Sequence, residues 1–262
     1  MTSHDLSHYY AFIVETAYLA GRQTLAHFQT GIQVEYKADA SPVTIADRQA
    51  EQLIRRRIEQ TYPEHAIVGE EYGQTASEGA SHRWIIDPID GTKAFMRGVP
   101  LFGVLIGLEI DGQVEVGAAY FPALDEMIAA ASGLGCWWNG RRAHVSATTS
   151  LKQAFITTTS LKAYRRYGRQ EAFDRLLQAC YHQAGWSDAY GYLLVATGRA
   201  ELMLDPAMNI WDCGPFPPIL REAGGFFGDW QGNPTIYAGE SLATSTQLLP
   251  EVLAVIRGDP AP

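Results

Sequence analysis

The segment WIIDPIDGT at residues 84–92 indicates where the functional side chains of this protein lie. It begins with three large apolar residues, which are typical of a buried strand, and then changes abruptly to an Asp-Pro pair. Because proline lacks a backbone N–H and disrupts both helix and sheet pairing, an irregular loop is expected after the strand. The segment therefore predicts that Asp87 and Asp90 converge at the carboxyl end of a buried strand.

A second predicted strand ends in acidic residues in the same way. The apolar run at residues 66–68 stops at Gly69-Glu70-Glu71. Carboxylates held close together repel each other unless a cation lies between them. Oxygen ligands suit a hard ion such as Mg²⁺, and neither run contains a His or Cys that would recruit zinc. The two strand ends together predict a magnesium site.

Gly91 and Thr92 follow the second acid directly. If a helix begins there, its free backbone N–H groups point at an anion, and glycine permits a close approach. The Thr92 hydroxyl could hold a water molecule, and Glu71, beside the expected ligand Glu70, could accept its proton. Metal ligands next to a phosphate cradle indicate metal-assisted hydrolysis of a phosphate ester.

The composition excludes several other classes of protein. The 262 residues are 47% hydrophobic and 19% charged, enough for a substantial core, and the net charge is −9. An acidic chain without a long Lys or Arg cluster is not expected to bind nucleic acid. No apolar run reaches membrane-spanning length, and the polar first ten residues lack the order of a signal peptide. We therefore expect a cytoplasmic protein without a membrane partner.

The pattern of apolar residues predicts an α+β fold of helices layered on antiparallel-rich and mixed sheets. Strands and hairpins dominate up to a soft domain boundary near residue 147, which divides residues 1–147 from 148–262. The first part is expected to carry most metal ligands and the second to carry substrate specificity. The principal predicted helices cover residues 6–28, 44–60, 171–182, 190–197 and 212–223, and the predicted hairpins turn at Asp111-Gly112 and Asn139-Gly140.

These motifs resemble those of the inositol monophosphatase family in order and spacing. The resemblance rests on the Gly-Glu-Glu and Asp-Pro-Ile-Asp-Gly-Thr motifs, on Trp211-Asp212, on residues 221–225, and on the upstream segments 37–39 and 42–47. It implies an α-β-α-β-α sandwich, commonly a homodimer, with two or three Mg²⁺ ions.

The resemblance also implies a role for each motif residue. The metal ligands are Glu70, Asp87, Asp90, Asp212 and the carbonyl of Ile89. The phosphate-binding amides are Gly91 and Thr92, and Glu71 with Thr92 orients the attacking water. Lys37 and Asp47 are supporting residues near the metals.

The substrate-facing residues implied by the resemblance are Ser187, Asp188, Asp205 and Asn209. An acid at position 188 favours a substrate that carries a positive charge. Several segments resemble the histidinol-phosphate phosphatase branch of the family, which implies hydrolysis of histidinol phosphate in histidine biosynthesis. The competing interpretation of Asp188 is the N-cap of the following helix.

Three alternatives stay open at this level. The substrate could be inositol 1-phosphate or another small sugar or nucleotide phosphate. A bisphosphate would need a second basic site, for which the candidates are Arg97, Arg165, Arg166 and Arg199. The scaffold could also serve as a non-catalytic binding protein, although the complete set of acids argues against this.

Overall fold

An eight-stranded sheet carries the WIIDPIDGT segment. The computed structural model describes residues 3–75, 79–185 and 187–259. Its helices are α1 (Ser3–Leu25), α2 (Ile45–Thr61), α3 (Thr92–Met96), α4 (Leu161–Arg166), α5 (Gln170–Ala179), α6 (Asp188–Ala196), α7 (Ile210–Cys213), α8 (Phe216–Glu222) and α9 (Leu249–Arg257). Its strands are β1 (Val34–Tyr36), β2 (Pro42–Thr44), β3 (Ala66–Gly69), β4 (Gly73–Thr75), β5 (His82–Asp90), β6 (Gly103–Ile110), β7 (Gln113–Phe121), β8 (Glu126–Ala131), β9 (Gly135–Trp138), β10 (Arg141–Arg142), β11 (Phe155–Thr157), β12 (His182–Ala184), β13 (Leu202–Asp205), β14 (Gly225–Gly228) and β15 (Ser241–Ser245). None of the helices within these ranges is long and apolar enough to span a membrane.

The strand order brings the acidic strand ends together. The large sheet has the order β10-β9-β8-β7-β6-β5-β3-β4 and is antiparallel except between β3 and β5, which run parallel. Parallel neighbours end at the same edge of a sheet. Glu70, which follows β3, therefore lies beside the end of β5, and its N–H donates to the carbonyl of Ile86 at 3.2 Å.

Helices cover both faces of each main sheet. Trp84 and Ile86 pack toward α1 and α2, whereas Ile85 points to the opposite face, where α6 and α8 lie. The same α6 and α8 contact the five-stranded sheet, whose order is β12-β11-β13-β15-β14. Helices α5 and α9 pack together in the cluster on its outer side. This confirms the predicted α+β class and the α-β-α-β-α sandwich.

The two main sheets come from separate parts of the chain. The eight-stranded sheet uses residues 66–142 and the five-stranded sheet uses residues 155–245. The core between them takes buried side chains from both parts, including Ile85 and Leu193. The boundary near residue 147 stays a prediction.

Two predicted helices have the wrong extent. The helix predicted for residues 171–182 ends at Ala179, and His182 instead begins β12, which pairs in parallel with β11. The helix predicted for residues 212–223 is two short helices, α7 and α8, that meet at Gly214 and Pro215. A new helix tolerates prolines in its first turn, because N–H groups there have no partner within the helix.

Candidate active site

A cavity of about 410 Å³ opens where the strand ends meet the inner helices. Its lining includes most of the predicted site residues, contributed by β5, α3, α6, β13 and α7. The predicted residues that line it are Glu70, Asp87, Ile89, Asp90, Gly91, Thr92, Asp188, Asp205 and Asp212.

A bulge in β5 turns Asp87 and Asp90 toward this cavity. Asp87 pairs with Leu105 of β6 and Asp90 pairs with Gly103, so β5 has one extra residue between these pairs. Side chains alternate along a regular strand, and residues three apart would point to opposite faces. The extra residue removes this mismatch. The irregular loop predicted from Pro88 is therefore a bulge within a strand that continues to Asp90.

Two glycines let Asp212 approach the sheet. A Cβ atom at Gly107 would lie 2.4 Å from the carbonyl oxygen of Gly214, and one at Gly117 would lie 2.2 Å from that of Pro215. Any side chain at either position would collide with the backbone that joins α7 to α8. This close contact places Asp212 of α7 at the end of β5.

The three aspartates form a compact cluster. One carboxylate oxygen each from Asp87, Asp90 and Asp212 lies within 4.8 Å of the other two. Burial, and then the charges of nearby acids, raises the pKa of Asp87 and of Asp90 well above the usual range. Burial also raises the pKa of Asp212 to about 6, although the backbone N–H of Asn209 donates to this carboxylate at 2.7 Å. The crowded charges favour a bound cation or a bound proton.

Lys37 contacts the second pair of acids. Its ammonium nitrogen lies 2.8 Å from Glu70 Oε1 and 2.7 Å from Glu71 Oε1. Burial acts to lower the pKa of Lys37, but hydrogen bonds and charge attraction from both glutamates outweigh it and leave the pKa raised. Lys37 is thus held as a cation beside two predicted site residues. Glu71 is not among the residues that line the cavity.

Asp47 caps the start of α2 with one carboxylate oxygen and leaves the other without a hydrogen-bond partner among the described residues. Its Oδ2 accepts from the backbone N–H of Thr44 at 2.8 Å and from the Thr44 hydroxyl at 2.6 Å. Its Oδ1 is buried without a hydrogen-bond partner among the described residues. Burial raises the pKa of Asp47 to about 6. A buried acceptor with no partner fits a site that takes up water or a cation.

The turn at Gly91 requires glycine. Its φ of 79° lies in the left-handed region, and a Cβ there would be 2.9 Å from the carbonyl oxygen of Leu101. Helix α3 begins at the next residue, Thr92, whose hydroxyl donates to the carbonyl of Ile89 at 3.2 Å. Gly91 and Thr92 therefore border the cavity at a helix start, as a phosphate cradle requires.

Asp188 lies directly against the acid cluster. A Cβ on Gly91 would be 3.4 Å from Asp188 Oδ2, and the N–H of Ala189 donates to Asp90 Oδ1 at 2.7 Å. Asp188 has a φ of 41°, a left-handed conformation that Asp tolerates better than most residues. Ser187, not Asp188, holds the cap position of α6, so the N-cap interpretation of Asp188 is wrong.

The other three predicted specificity residues differ in accessibility. Asp205 lines the cavity, and its Oδ2 accepts from the Thr159 hydroxyl at 3.1 Å and the Tyr192 hydroxyl at 3.3 Å. Burial raises the pKa of Asp205 to about 8. Ser187 is buried, and Asn209 caps α7; neither is among the residues that line the cavity.

Helix α4 contributes two basic residues to the cavity, of which the sequence analysis named Arg166 and missed Lys162. Lys162 lies one turn before Arg166 on this helix, and both line the cavity, as does Lys93 of α3. Of the four arginines considered for a second phosphate, Arg166 alone is among the cavity-lining residues; Arg199 instead pairs with Glu126 at 2.7 Å. One sequence feature could have identified Lys162: α4 follows the carboxyl end of a parallel strand, β11, and ligands commonly bind at such strand ends.

The donor set fits a hard divalent cation. The clustered side chains supply only carboxylate oxygens, which suit Mg²⁺ better than softer metals. Cys213 follows Asp212 but is fully buried in the core between the sheets, and burial raises the pKa of its thiol well above the usual range. Cys213 is therefore a core residue and not a nucleophile in the cavity.

Comparisons with known proteins show the family of this chain. The sequence description of the inositol monophosphatase family matches residues 5–258. A histidinol-phosphatase of Chlorobaculum parvum is 40% identical over 90% of this chain and 91% of its own length. A histidinol-phosphatase of Mycobacterium tuberculosis is 35% identical over 85% and 87%. The crystal structure of the extragenic suppressor protein suhB from Bartonella henselae superimposes with a TM-score of 0.88 at 28% identity, covering 94% of this chain and 97% of that one.

The fold, the carboxylate cluster and these relatives define a phosphatase, a hydrolase of phosphoric monoesters. More particularly, the chain belongs to the inositol monophosphatase family. The resemblance inferred from the sequence motifs is thereby confirmed.

Proposed function

We propose that this phosphatase hydrolyses histidinol phosphate to histidinol and inorganic phosphate, with Mg²⁺ as its metal. The observation that carries the proposal is Asp188, which lines the cavity against Gly91. Burial raises the pKa of Asp188 to about 6, so its carboxylate is mostly ionised above neutral pH. A carboxylate beside the leaving group favours an ammonium or imidazolium partner. The names of the two bacterial relatives support the same substrate.

The metal ligands of the proposal are Glu70, Asp87, Asp90, Asp212 and the carbonyl of Ile89. When bound, two or three Mg²⁺ ions would neutralise phosphate oxygens and make water a better nucleophile at neutral pH. Lys37, which contacts Glu70 and Glu71, and Asp47, with its free buried oxygen, support the same region.

The chain's own groups bind the phosphate and move the proton. The backbone N–H groups of Gly91 and Thr92 hold the phosphate oxygens, and the Thr92 hydroxyl with Glu71 orients a water molecule. The water oxygen bonds to phosphorus while the bond to the leaving oxygen breaks, and Glu71 accepts the water's proton. The leaving oxygen gains a proton from solvent, which completes the alcohol product. Asp188 and Asp205 bind the alcohol portion.

Comparison of four substrates tests the proposal. Phosphate release would be measured with Mg²⁺ from histidinol phosphate, inositol 1-phosphate, fructose 1,6-bisphosphate and adenosine 3′,5′-bisphosphate. We expect the highest kcat/KM for histidinol phosphate, and no turnover of any substrate in excess chelator. A higher kcat/KM for inositol 1-phosphate would overturn the substrate assignment. No release from any of the four would favour the non-catalytic binding protein.

We also propose that the protein is a homodimer that uses the outer edge of the five-stranded sheet. Strand β12 is the last strand of that sheet and is exposed throughout. Tyr181, which is 70% exposed, lies beside Phe155, which is 42% exposed, with ring centroids 5.6 Å apart. An exposed edge strand flanked by aromatic rings can pair with a second copy of the chain.

Sedimentation velocity tests the dimer. The parent protein should have the mass of a dimer, and the Tyr181→Glu variant should have the mass of a monomer. A monomeric parent protein would refute the dimer.

A further inference from the structure

A buried glutamate outside the cavity holds the turn that carries two of the predicted site residues. Glu51 lies on α2 and is fully buried. Its Oε2 accepts the backbone N–H of Glu71 at 2.7 Å, and its Oε1 accepts that of Tyr72 at 3.2 Å. Oε1 also accepts from Arg55 Nε at 2.7 Å. Both carboxylate oxygens of Glu51 are thus used as acceptors, for two backbone N–H groups and for Arg55.

The surrounding structure is shaped to admit this carboxylate. A Cβ at Gly69 would lie 2.2 Å from Glu51 Oε1, so the strand that precedes the turn needs glycine at that point. Arg55, which is paired with Glu51, also donates to the carbonyl of Gly73 on the far side of the turn. The turn is therefore attached to α2 on one side, and to β5 on the other through the N–H of Glu70.

The side chains of Glu70 and Glu71 converge on Lys37, while the N–H groups of Glu71 and Tyr72 point to Glu51. Glu70 lines the cavity, and both Glu70 and Glu71 contact the ammonium of Lys37. Hydrogen bonds to an ionised acceptor are stronger than those between neutral groups, and a buried N–H left unpaired is costly. The carboxylate of Glu51 thus holds the backbone of Glu71 and of Tyr72, directly after Glu70, whose own N–H is held by β5.

We propose that Glu51 is a positioning residue for the metal site: it fixes the backbone of residues 71 and 72, and so the turn from which Glu70 and Glu71 reach the proposed cations. This inference rests on the proposed magnesium site. Glu51 touches neither substrate nor metal, and it acts through the turn alone. Groups that orient metal ligands commonly change metal affinity about 10- to 100-fold when they are replaced.

Glu51→Gln tests this with little change in side-chain volume. The amide has only one acceptor oxygen, so one of the two backbone N–H groups loses its partner and the turn shifts. We expect about a tenfold weaker Mg²⁺ affinity, measured by titration calorimetry on metal-free protein well below the melting temperature. Amide hydrogen exchange at Glu71 and Tyr72 should become faster. Raising Mg²⁺ should restore much of the lost kcat/KM.

Glu222→Gln is the matched control. Glu222 also accepts two backbone N–H groups, those of Gly133 and Gly135, each at 2.9 Å, in the turn between β8 and β9. This variant should lose comparable local order but keep the parent Mg²⁺ affinity. Equal Mg²⁺ affinities in the parent and Glu51→Gln, or equal losses in both variants, would show that Glu51 has only a general structural role.

Two further measurements keep the result interpretable. If Glu51→Gln does not fold, Glu51→Asp retains the charge but withdraws it from the turn, and it should also weaken Mg²⁺ binding and speed exchange at residues 71 and 72. Unchanged exchange and affinity in that variant would overturn the inference. If the parent protein binds no Mg²⁺, the proposed metal site is wrong, and this inference is wrong with it. If the parent protein and the Glu51→Gln variant bind Mg²⁺ equally well, only this inference is overturned, and the proposed function stands.

Discussion

Asp90→Asn is expected to lower kcat/KM for histidinol phosphate by about 10³-fold at saturating Mg²⁺. Asp90 belongs to the cluster whose oxygens lie within 4.8 Å of one another, and its Oδ1 already accepts the N–H of Ala189. Asparagine removes one negative charge and offers N–H donors where a cation needs oxygen ligands. Steady-state phosphate release measures the loss. The substitution is nearly isosteric, so the melting temperature of the metal-free protein should not fall.

The matched control is Asp174→Asn on the exposed side of α5, which should leave kcat/KM unchanged. If Asp90→Asn kept more than about a tenth of the parent activity, Asp90 would not be a ligand of an essential metal. Asp90→Asn also distinguishes an enzyme from a non-catalytic binding protein. A binding function of the scaffold would survive this substitution, whereas turnover would be lost.

Asp188→Asn is expected to lower kcat/KM for histidinol phosphate about 10- to 100-fold, the value of one hydrogen bond to a charged group. The carboxylate is ionised at pH 8, above its raised pKa of about 6, and would pair with a cationic group of the substrate. Asparagine tolerates the left-handed backbone at this position, so the loss reports the charge and not strain. Turnover of inositol 1-phosphate, which has no cationic group, should change less than about threefold.

Asp111→Asn provides the corresponding control, because Asp111 also has a positive φ, 49°, but lies in the hairpin turn between β6 and β7. Asp111→Asn should not change the ratio of kcat/KM for histidinol phosphate to kcat/KM for inositol 1-phosphate. Equal losses for both substrates in Asp188→Asn would mean that Asp188 supports the proposed metal ligand Asp90 through Ala189 and does not select the leaving group.

Local signals in the sequence were reliable wherever one short segment contains all of the interacting groups. Thr44 and Asp47 form the expected capping pair at the start of α2. Asp111-Gly112 and Asn139-Gly140 both form hairpin turns in which the two central residues have positive φ, which is the reason such pairs favour these turns. Each prediction depended on atoms only a few residues apart.

Signals that depend on distant partners were missed or misread. The helix predicted for residues 171–182 was extended into His182, the first residue of β12. The stability of β12 comes from pairing with β11, almost thirty residues earlier, which a local pattern does not show. The helix predicted for residues 212–223 is broken into α7 and α8 at Gly214, where the backbone approaches the sheet. Lys162 carried no motif, and Arg166 was one of four arginine candidates, so only the packing of α4 beside the cavity distinguished these two residues.

The amino-acid sequence by itself indicated the family and placed Glu70, Asp87 and Asp90 at the ends of two strands. It could do so because a buried strand followed by Asp or Glu is a local pattern, and the Asp-Pro-Ile-Asp-Gly-Thr motif is specific. The tertiary structure alone decided that Asp212 meets Asp87 and Asp90, because that meeting requires the glycines at 107 and 117 to admit a backbone from more than ninety residues away. The contact of Glu51 with the turn at residues 71 and 72 was likewise a product of packing, since no spacing in the sequence predicts it.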